Sequence, residues 1–242
     1  MDKQRHKEEK FFLTCEKNYI FELLILAAGM MGAYTFILRG GVFCNAQTAN
    51  VVLMGIAFGE GRVADGAYYL IHIGAYILGA IVSEIMPVRV RRLRLLRWDT
   101  ILIAFEMIIL FAVGFMPLSW PNQIVQVIIN FLCSMQYNTF RQAQGITMAT
   151  TFVTNHVRQV GVYLANVIKG KTENDAMERG KRHIFMLVMF FLGTLILAMF
   201  CKVLQEKAIW LALVPLGVCL GIMIHADLTI EKEMLEEAPH GH

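Results

Sequence analysis

"GMMGAYTFILRGGVFCNAQTANVVLMG", Gly29 to Gly55, is the stretch on which the fold turns. It starts as an apolar helix and reaches a Gly40–Gly41 break. Cys44, Asn45, Gln47, Thr48 and Asn50 are then set into a run that is otherwise apolar as far as Phe58. Amides and hydroxyls withdrawn from water need hydrogen-bond partners. Non-helical backbone at membrane depth survives only where protein buries it or water reaches it. The stretch therefore reads as a membrane segment that is broken or re-entrant. A second stretch, "MQYNTFRQAQGITMATTFVTNHVRQ", Met135 to Gln159, repeats the plan. Thr154-Asn155-His156, followed by Gly161, parallels Thr48-Ala49-Asn50, followed by Gly55, at a constant offset of 106 residues. "YILG" at Tyr76–Gly79 likewise parallels "FFLG" at Phe190–Gly193.

Around these two stretches lie six clean apolar segments, each near the ~20 residues a spanning helix needs. They run Tyr19–Leu38, Gly66–Met86, Thr100–Leu118, Gln123–Phe140, His183–Leu204 and Ala208–Asp227. The interrupted segments are Val42–Phe58 and Ile146–Ile168. Over 242 residues the chain is 57% hydrophobic and 17% charged, against about 45–50% and about 25% for soluble domains. Its net charge of +3 is too small to imply nucleic acid. The five cysteines, Cys15, Cys44, Cys133, Cys201 and Cys219, are scattered and lack metal-binding spacing, so they read as reduced packing residues.

Charge placement orients the segments. The 88–98 loop carries Arg89, Arg91, Arg92, Arg94 and Arg97, and the N-terminal tail carries Lys3, Arg5, Lys7, Lys10 and Lys17. Lys169, Lys171, Arg179, Lys181 and Arg182 form a third basic cluster. Basic loops stay in the cytoplasm. Six crossings put all three clusters and the C-terminus on that side, whereas eight would put the arginine loop outside. The fold expected is all-α integral membrane. It has about six transmembrane helices plus two interrupted or re-entrant ones, arranged as two internal, inverted repeats, because three crossings per half turn the second half upside down. The domains expected are a cytoplasmic tail (1–18), a first repeat (19–118), a second repeat (119–228) and an acidic cytoplasmic tail (229–242).

At the two quoted stretches the chain resembles the YoaK family of uncharacterised bacterial membrane proteins. That family usually shows Thr-Gly-Asn at both sites. Here the first reads Thr48-Ala49-Asn50 and the second Thr154-Asn155-His156, which places His156 where an uncharged amide is usual. The resemblance implies a multi-pass protein of the bacterial cytoplasmic (inner) membrane and supplies no substrate.

The candidate solute-binding residues are Asn45, Gln47, Thr48, Asn50, Asn130, Tyr137, Thr151, Thr154, Asn155, His156 and Arg158. Arg158 is the sharpest, since a charge inside an apolar segment faces a cavity, finds a partner or snorkels to the interface. Thr154 lies one helical turn before it and Thr151 extends that face. The amide-rich stretch either lines a solute path or satisfies exposed backbone. Gln123, Gln126, Asn130, Ser134, Tyr137 and Arg141 recur at spacings of three and four, so one helical face carries them. That stripe either lines a pore or bonds a neighbouring helix. Glu106 is an intramembrane acid that could couple to protons, sit hydrogen-bonded and neutral, or pair with Arg158. Cys44 should be reachable by thiol reagents from outside if a water-filled vestibule opens there. Small-residue pairs such as Ala28/Gly32, Gly29/Ala33, Gly55/Gly59 and Gly217/Gly221 mark close helix contacts.

No enzymatic signature is present in the sequence, and neither a cofactor nor a metal is expected. The function expected is a channel or secondary transporter for a small polar or anionic solute. A non-transporting scaffold, sensor or assembly partner is the alternative. The partners expected are the lipid bilayer and a small-molecule solute; a homo-oligomer is compatible with the sequence.

Overall fold

The computed structural model describes residues 11–91, 95–170 and 174–240. Lys3, Arg5, Lys7, Lys10, Arg92, Arg94 and Lys171 of the basic clusters lie outside them. Eight helices follow one another among the described residues: α1 (Asn18–Leu38), α2 (Gln47–Gly59), α3 (Val63–Arg91), α4 (Trp98–Val113), α5 (Asn122–Thr139), α6 (Thr154–Ile168), α7 (Asn174–Leu204) and α8 (Leu213–Leu228). A minimal hairpin, β1 (Gln142–Ala143) and β2 (Ile146–Thr147), separates α5 from α6. Single turns of 3-10 helix precede α1 and follow α8, and a longer one, Gln205–Ala212, joins α7 to α8.

Among the described residues three helical stretches are long and apolar enough to cross a membrane: Asn18–Leu38, Val63–Val90 and the continuous run Ala176–Leu228. At 1.5 Å per residue the run Ala176–Leu228 exceeds twice the ~30 Å hydrocarbon thickness. Its bend at the 3-10 segment, where Gln205 takes φ 48, lets it turn back. The interrupted segments each yield a short helix. α2 has 13 residues and α6 has 15, so each is about 20 Å long and falls short of a full crossing.

α1 ends because Gly40 and Gly41 adopt φ of 88 and 74. The Arg39 amide closes a last helical bond to the Thr35 carbonyl, and the left-handed turn then lets the Gly41 amide fold back onto the Phe36 carbonyl. The chain then runs back beside α1, and Asn45 lies against Gly32. At the other end of the molecule the β1–β2 hairpin reverses through Gln144 and Gly145, both at positive φ.

α1 is the most enclosed span and packs along α7, while α5 packs along α3. α2 leans on α3 and α6 leans on α7. α4 pairs with α8, α8 touches α1, and α4 touches α5. Two of these contacts are backbone to backbone. A methyl at Gly29 would collide with the Phe190 carbonyl, and one at Gly193 with the Leu26 carbonyl. Gly79 repeats the arrangement on α5, where a Cβ would sit 2.6 Å from the Phe131 carbonyl. Gly55, Gly59 and Gly221 differ from expectation: nothing lies within 4 Å of where their Cβ atoms would be. They mark no close contact, because the helix faces that carry them point outward.

Thr14 and Glu16 meet Glu231 and His240 on one face of the molecule. The Thr14 amide and hydroxyl donate to Glu231 Oε1 at 2.6 Å, and the His240 amide donates to Glu16 Oε1 at 2.8 Å. Arg97, nearly buried, donates to the Met234 and Glu237 carbonyls. The opposite face holds Arg39. Its guanidinium donates to the Pro117 carbonyl at 3.0 Å and also reaches the Met116 carbonyl and the Tyr34 hydroxyl. A cation at these carbonyls just beyond α4 complements the negative end of that helix.

Candidate functional site

The polar stretch after Gly41 and the loop before α6 meet inside the molecule. Asn45 Nδ2 donates to the Thr151 carbonyl at 2.7 Å, joining positions 106 residues apart. Neither partner belongs to a helix, so the bond satisfies one of the exposed backbone carbonyls that a broken segment must leave. Next to it, Gln47 Nε2 donates to Asn130 Oδ1 at 2.7 Å, and Asn50 Nδ2 donates to Gln47 Oε1 at 3.1 Å. Asn50 is buried, with its own Oδ1 unpartnered.

A cavity of about 430 Å³ opens at this meeting point. It is lined by Asn45, Ala46, Gln47 and Thr48 from the start of α2, by Phe152 and Thr154 from the start of α6, and by Tyr76 and Tyr137 from α3 and α5. No lining residue is charged. The amide nitrogens of Asn45 and Gln47 already donate to Thr151 and Asn130, and the hydroxyls of Thr48, Thr154, Tyr76 and Tyr137 supply further side-chain donors. Three aromatic rings complete the wall, and Tyr137 and Phe152 contact each other at 4.7 Å between centroids.

Both short helices point their N-termini here, and neither has a side-chain cap. The uncapped amides can therefore donate to a guest. Each terminus favours a negative charge by about 0.3–1 kcal/mol, reaching ~2 kcal/mol when partly buried. Stripping an ion of water costs several kcal/mol. The termini can orient an electronegative atom but do not by themselves offset the burial of a full charge.

The sequence candidates divide around this point. Asn45, Gln47, Thr48, Tyr137 and Thr154 line the cavity, and Asn130 supports Gln47 from behind. Thr151 contributes its carbonyl to Asn45 while its hydroxyl is buried without a partner. It does not extend the Thr154–Arg158 face, because α6 begins only at Thr154 and Thr151 lies in the preceding loop. Arg158 is exposed, lies outside the cavity lining, and has Asn155 Oδ1 3.5 Å from its Nη2. One turn into α6, its side chain leaves the helix on the side away from the bundle. Glu106 is fully buried on α4 with neither carboxyl oxygen partnered. No ion pair joins it to Arg158, and it too lies outside the lining.

The polar stripe of α5 faces α3. Gln126 Nε2 donates to the Arg39 carbonyl, and its Oε1 lies 3.2 Å from His72 Nε2. Asn130 Nδ2 donates to the His72 carbonyl at 2.9 Å and Ser134 Oγ to the Tyr76 carbonyl. At the end of the ladder Arg141 pairs with Glu84 at 2.6 Å. The stripe is mostly helix-to-helix hydrogen bonding; within it, Tyr137 alone turns to the cavity. Cys44 is completely buried, so no vestibule exposes it.

His156 and His183 form a pair that sequence reading left apart. His156 Nε2 lies 2.8 Å from the Ala149 carbonyl, and its Nδ1 lies 2.9 Å from His183 Nδ1. The carbonyl can only accept, so His156 carries its proton on Nε2. His183 must then donate through Nδ1 to His156 Nδ1. This neutral pair pins the first turn of α6, beside Thr154, to α7. Both side chains are buried. Their spacing of 27 residues crosses a loop, so no helical periodicity linked them. Tyr76 and Phe152 were also missed as lining residues. Tyr76 did stand in the repeated "YILG" motif, but Phe152 carried no signal.

Among the described residues no group of three or more His, Cys, Asp or Glu could hold a metal ion. The comparisons with known proteins agree with the apolar architecture. A family described as "Protein of unknown function (DUF1275)" matches residues 20–222. The "UPF0700 transmembrane protein YoaK" of Bacillus subtilis (strain 168) is 22% identical over 221 residues, covering 90% of this chain and 97% of that protein. No solved structure matches.

Proposed function

The chain belongs to the DUF1275 family, and from that premise we propose that this membrane protein is a channel or secondary transporter. Its solute passes the cavity where the two short helices begin. One observation carries the reading: Asn45, which meets the Thr151 carbonyl, lines a chamber with no charged residue in its wall.

Six crossings with two re-entrant helices account for that meeting. On this reading α2 enters and leaves from the outer face and α6 from the cytoplasmic face. Both termini lie in the cytoplasm of a bacterial inner membrane. The neighbour relations support two inverted repeats, α1–α4 and α5–α8. Exchanging the halves converts α1 on α7 into α5 on α3, α2 on α3 into α6 on α7, and α8 on α1 into α4 on α5, while α4 on α8 maps onto itself. The Asn45–Thr151 bond joins equivalent positions of the two halves, and so would lie near their common axis.

Sealed liposomes holding the purified chain test the proposal with a broad solute panel. Flux well above empty liposomes is expected. Asn45→Leu, which deletes the bond to Thr151, should abolish it while helicity and monodispersity persist. Absence of flux for every solute would instead leave a scaffold, sensor or assembly partner.

A further inference from the structure

The chemistry of the chamber also selects its guest, and the inference rests on the reading of the chamber as a solute route. We infer that the solute is uncharged and rich in hydroxyl or amide groups, of the polyol or urea-like class, and that ions are refused. Three features of the lining point this way.

First, no acid and no base lines the chamber. The cations closest along the chain, Arg141 and Arg158, lie outside the lining, Arg141 paired with Glu84 and Arg158 with its side chain exposed, and the buried Glu106 is also outside it. An ion entering would lose water and gain no countercharge. Second, the lining carries four hydroxyls for which no partner is seen among the described residues. Thr48, Thr154, Tyr76 and Tyr137 can each donate and accept. A guest with hydroxyl or amide groups offers both roles in return, whereas a bare anion uses donors alone and a cation acceptors alone. The uncapped amides of α2 and α6 add donors for an oxygen of such a guest. Third, Tyr76, Tyr137 and Phe152 present aromatic surface to whatever the hydroxyls hold. The C–H faces of a polyol or the flat face of a urea lie against such rings without losing hydrogen bonds, while a hydrated ion would forfeit its shell there.

Liposomes containing the full-length protein give the test. Stopped-flow light scattering would follow glycerol, erythritol and urea uptake. Valinomycin-driven swelling in potassium chloride and potassium formate would follow anions. The expected result is uptake of at least one neutral probe several-fold above empty liposomes, with no gain in anion swelling. Tyr137→Phe and Thr154→Val each delete one hydroxyl at nearly constant volume. Each should slow the neutral probe by about three- to tenfold, the worth of one hydrogen bond. Arg158→Gln should leave the rate unchanged. Anion swelling without neutral uptake would overturn the inference and spare the solute route. So would neutral uptake that is indifferent to both hydroxyl deletions. Silence of all five probes, together with silence of the broad panel, would remove the route itself.

Discussion

Residue by residue, the molecule shows how a polar group inside an apolar bundle acquires a partner. His156 is the sharpest case. Its two ring nitrogens meet the Ala149 carbonyl and His183 Nδ1, and removing the ring would leave both neighbours buried and unpaired. His156→Ala should therefore cost about 1–3 kcal/mol of stability. Thermal unfolding in detergent would measure it. In a double-mutant cycle with His183→Ala, the second substitution should cost little once the first is made. Additive losses would contradict the pairing. Cys15 makes a second residue-scale prediction. It lies outside the spans, and burial, with the nearby Asp99 carboxylate adding to it, pushes its thiol well above the usual value. A raised thiol stays protonated at neutral pH, and the thiolate is the nucleophile. Maleimide should label Cys15 in the native protein only slowly, and promptly after unfolding.

Among the elements, α1 against α7 is the contact that most depends on small residues. Gly29 and Gly193 each face a backbone carbonyl of the other helix with no room for a methyl. Gly193→Leu should separate the helices and destabilise the protein by more than the 1–3 kcal/mol typical of overpacking, because the obstacle is backbone. Gly221→Ala, with open space around it, should be neutral. Comparing the two melting temperatures is the check. The re-entrant path of α2 and α6 is also an element-scale claim. All five native cysteines are buried, so introduced ones can be read against a quiet background. Cysteines replacing Glu60 and Gln123 should react with an impermeant reagent from outside, and one replacing Lys181 only after the membrane is opened. Reaction of all three from one side would refute the topology.

At the scale of the whole molecule, the halves are interlocked and do not sit side by side. α1 of the first half has its main partner, α7, in the second, and α5 has α3. A chain cut between Leu118 and Asn122 should therefore yield two fragments that fold together and not apart. Co-expression should give a complex that survives purification, while either fragment alone should aggregate or be degraded. Stable separate fragments would show that each half carries its own core.

How much of this was legible beforehand follows from what kind of information each feature needs. Blocks of apolar residues and the breaks at 44–50 and 147–159 stand in the chain itself. Hydrophobic length is a local property, and so is the conflict of amides with lipid. The sequence therefore determined, unaided, a helical membrane protein with two interrupted segments whose polar motifs lie 106 residues apart. Which partner each polar group takes was not local. The α5 stripe read equally as pore or as glue until α3 was seen to fill it. Arg158 read as a binding cation or as one reaching for the interface, and the first turn of α6 turns it outward. Only the tertiary structure decided that Asn45 meets Thr151, that His156 meets His183, and that an uncharged chamber lies where the short helices start. The physical reason is that a polar group at membrane depth demands some hydrogen bond, yet its identity depends on which distant backbone the packing of whole helices brings within 3 Å.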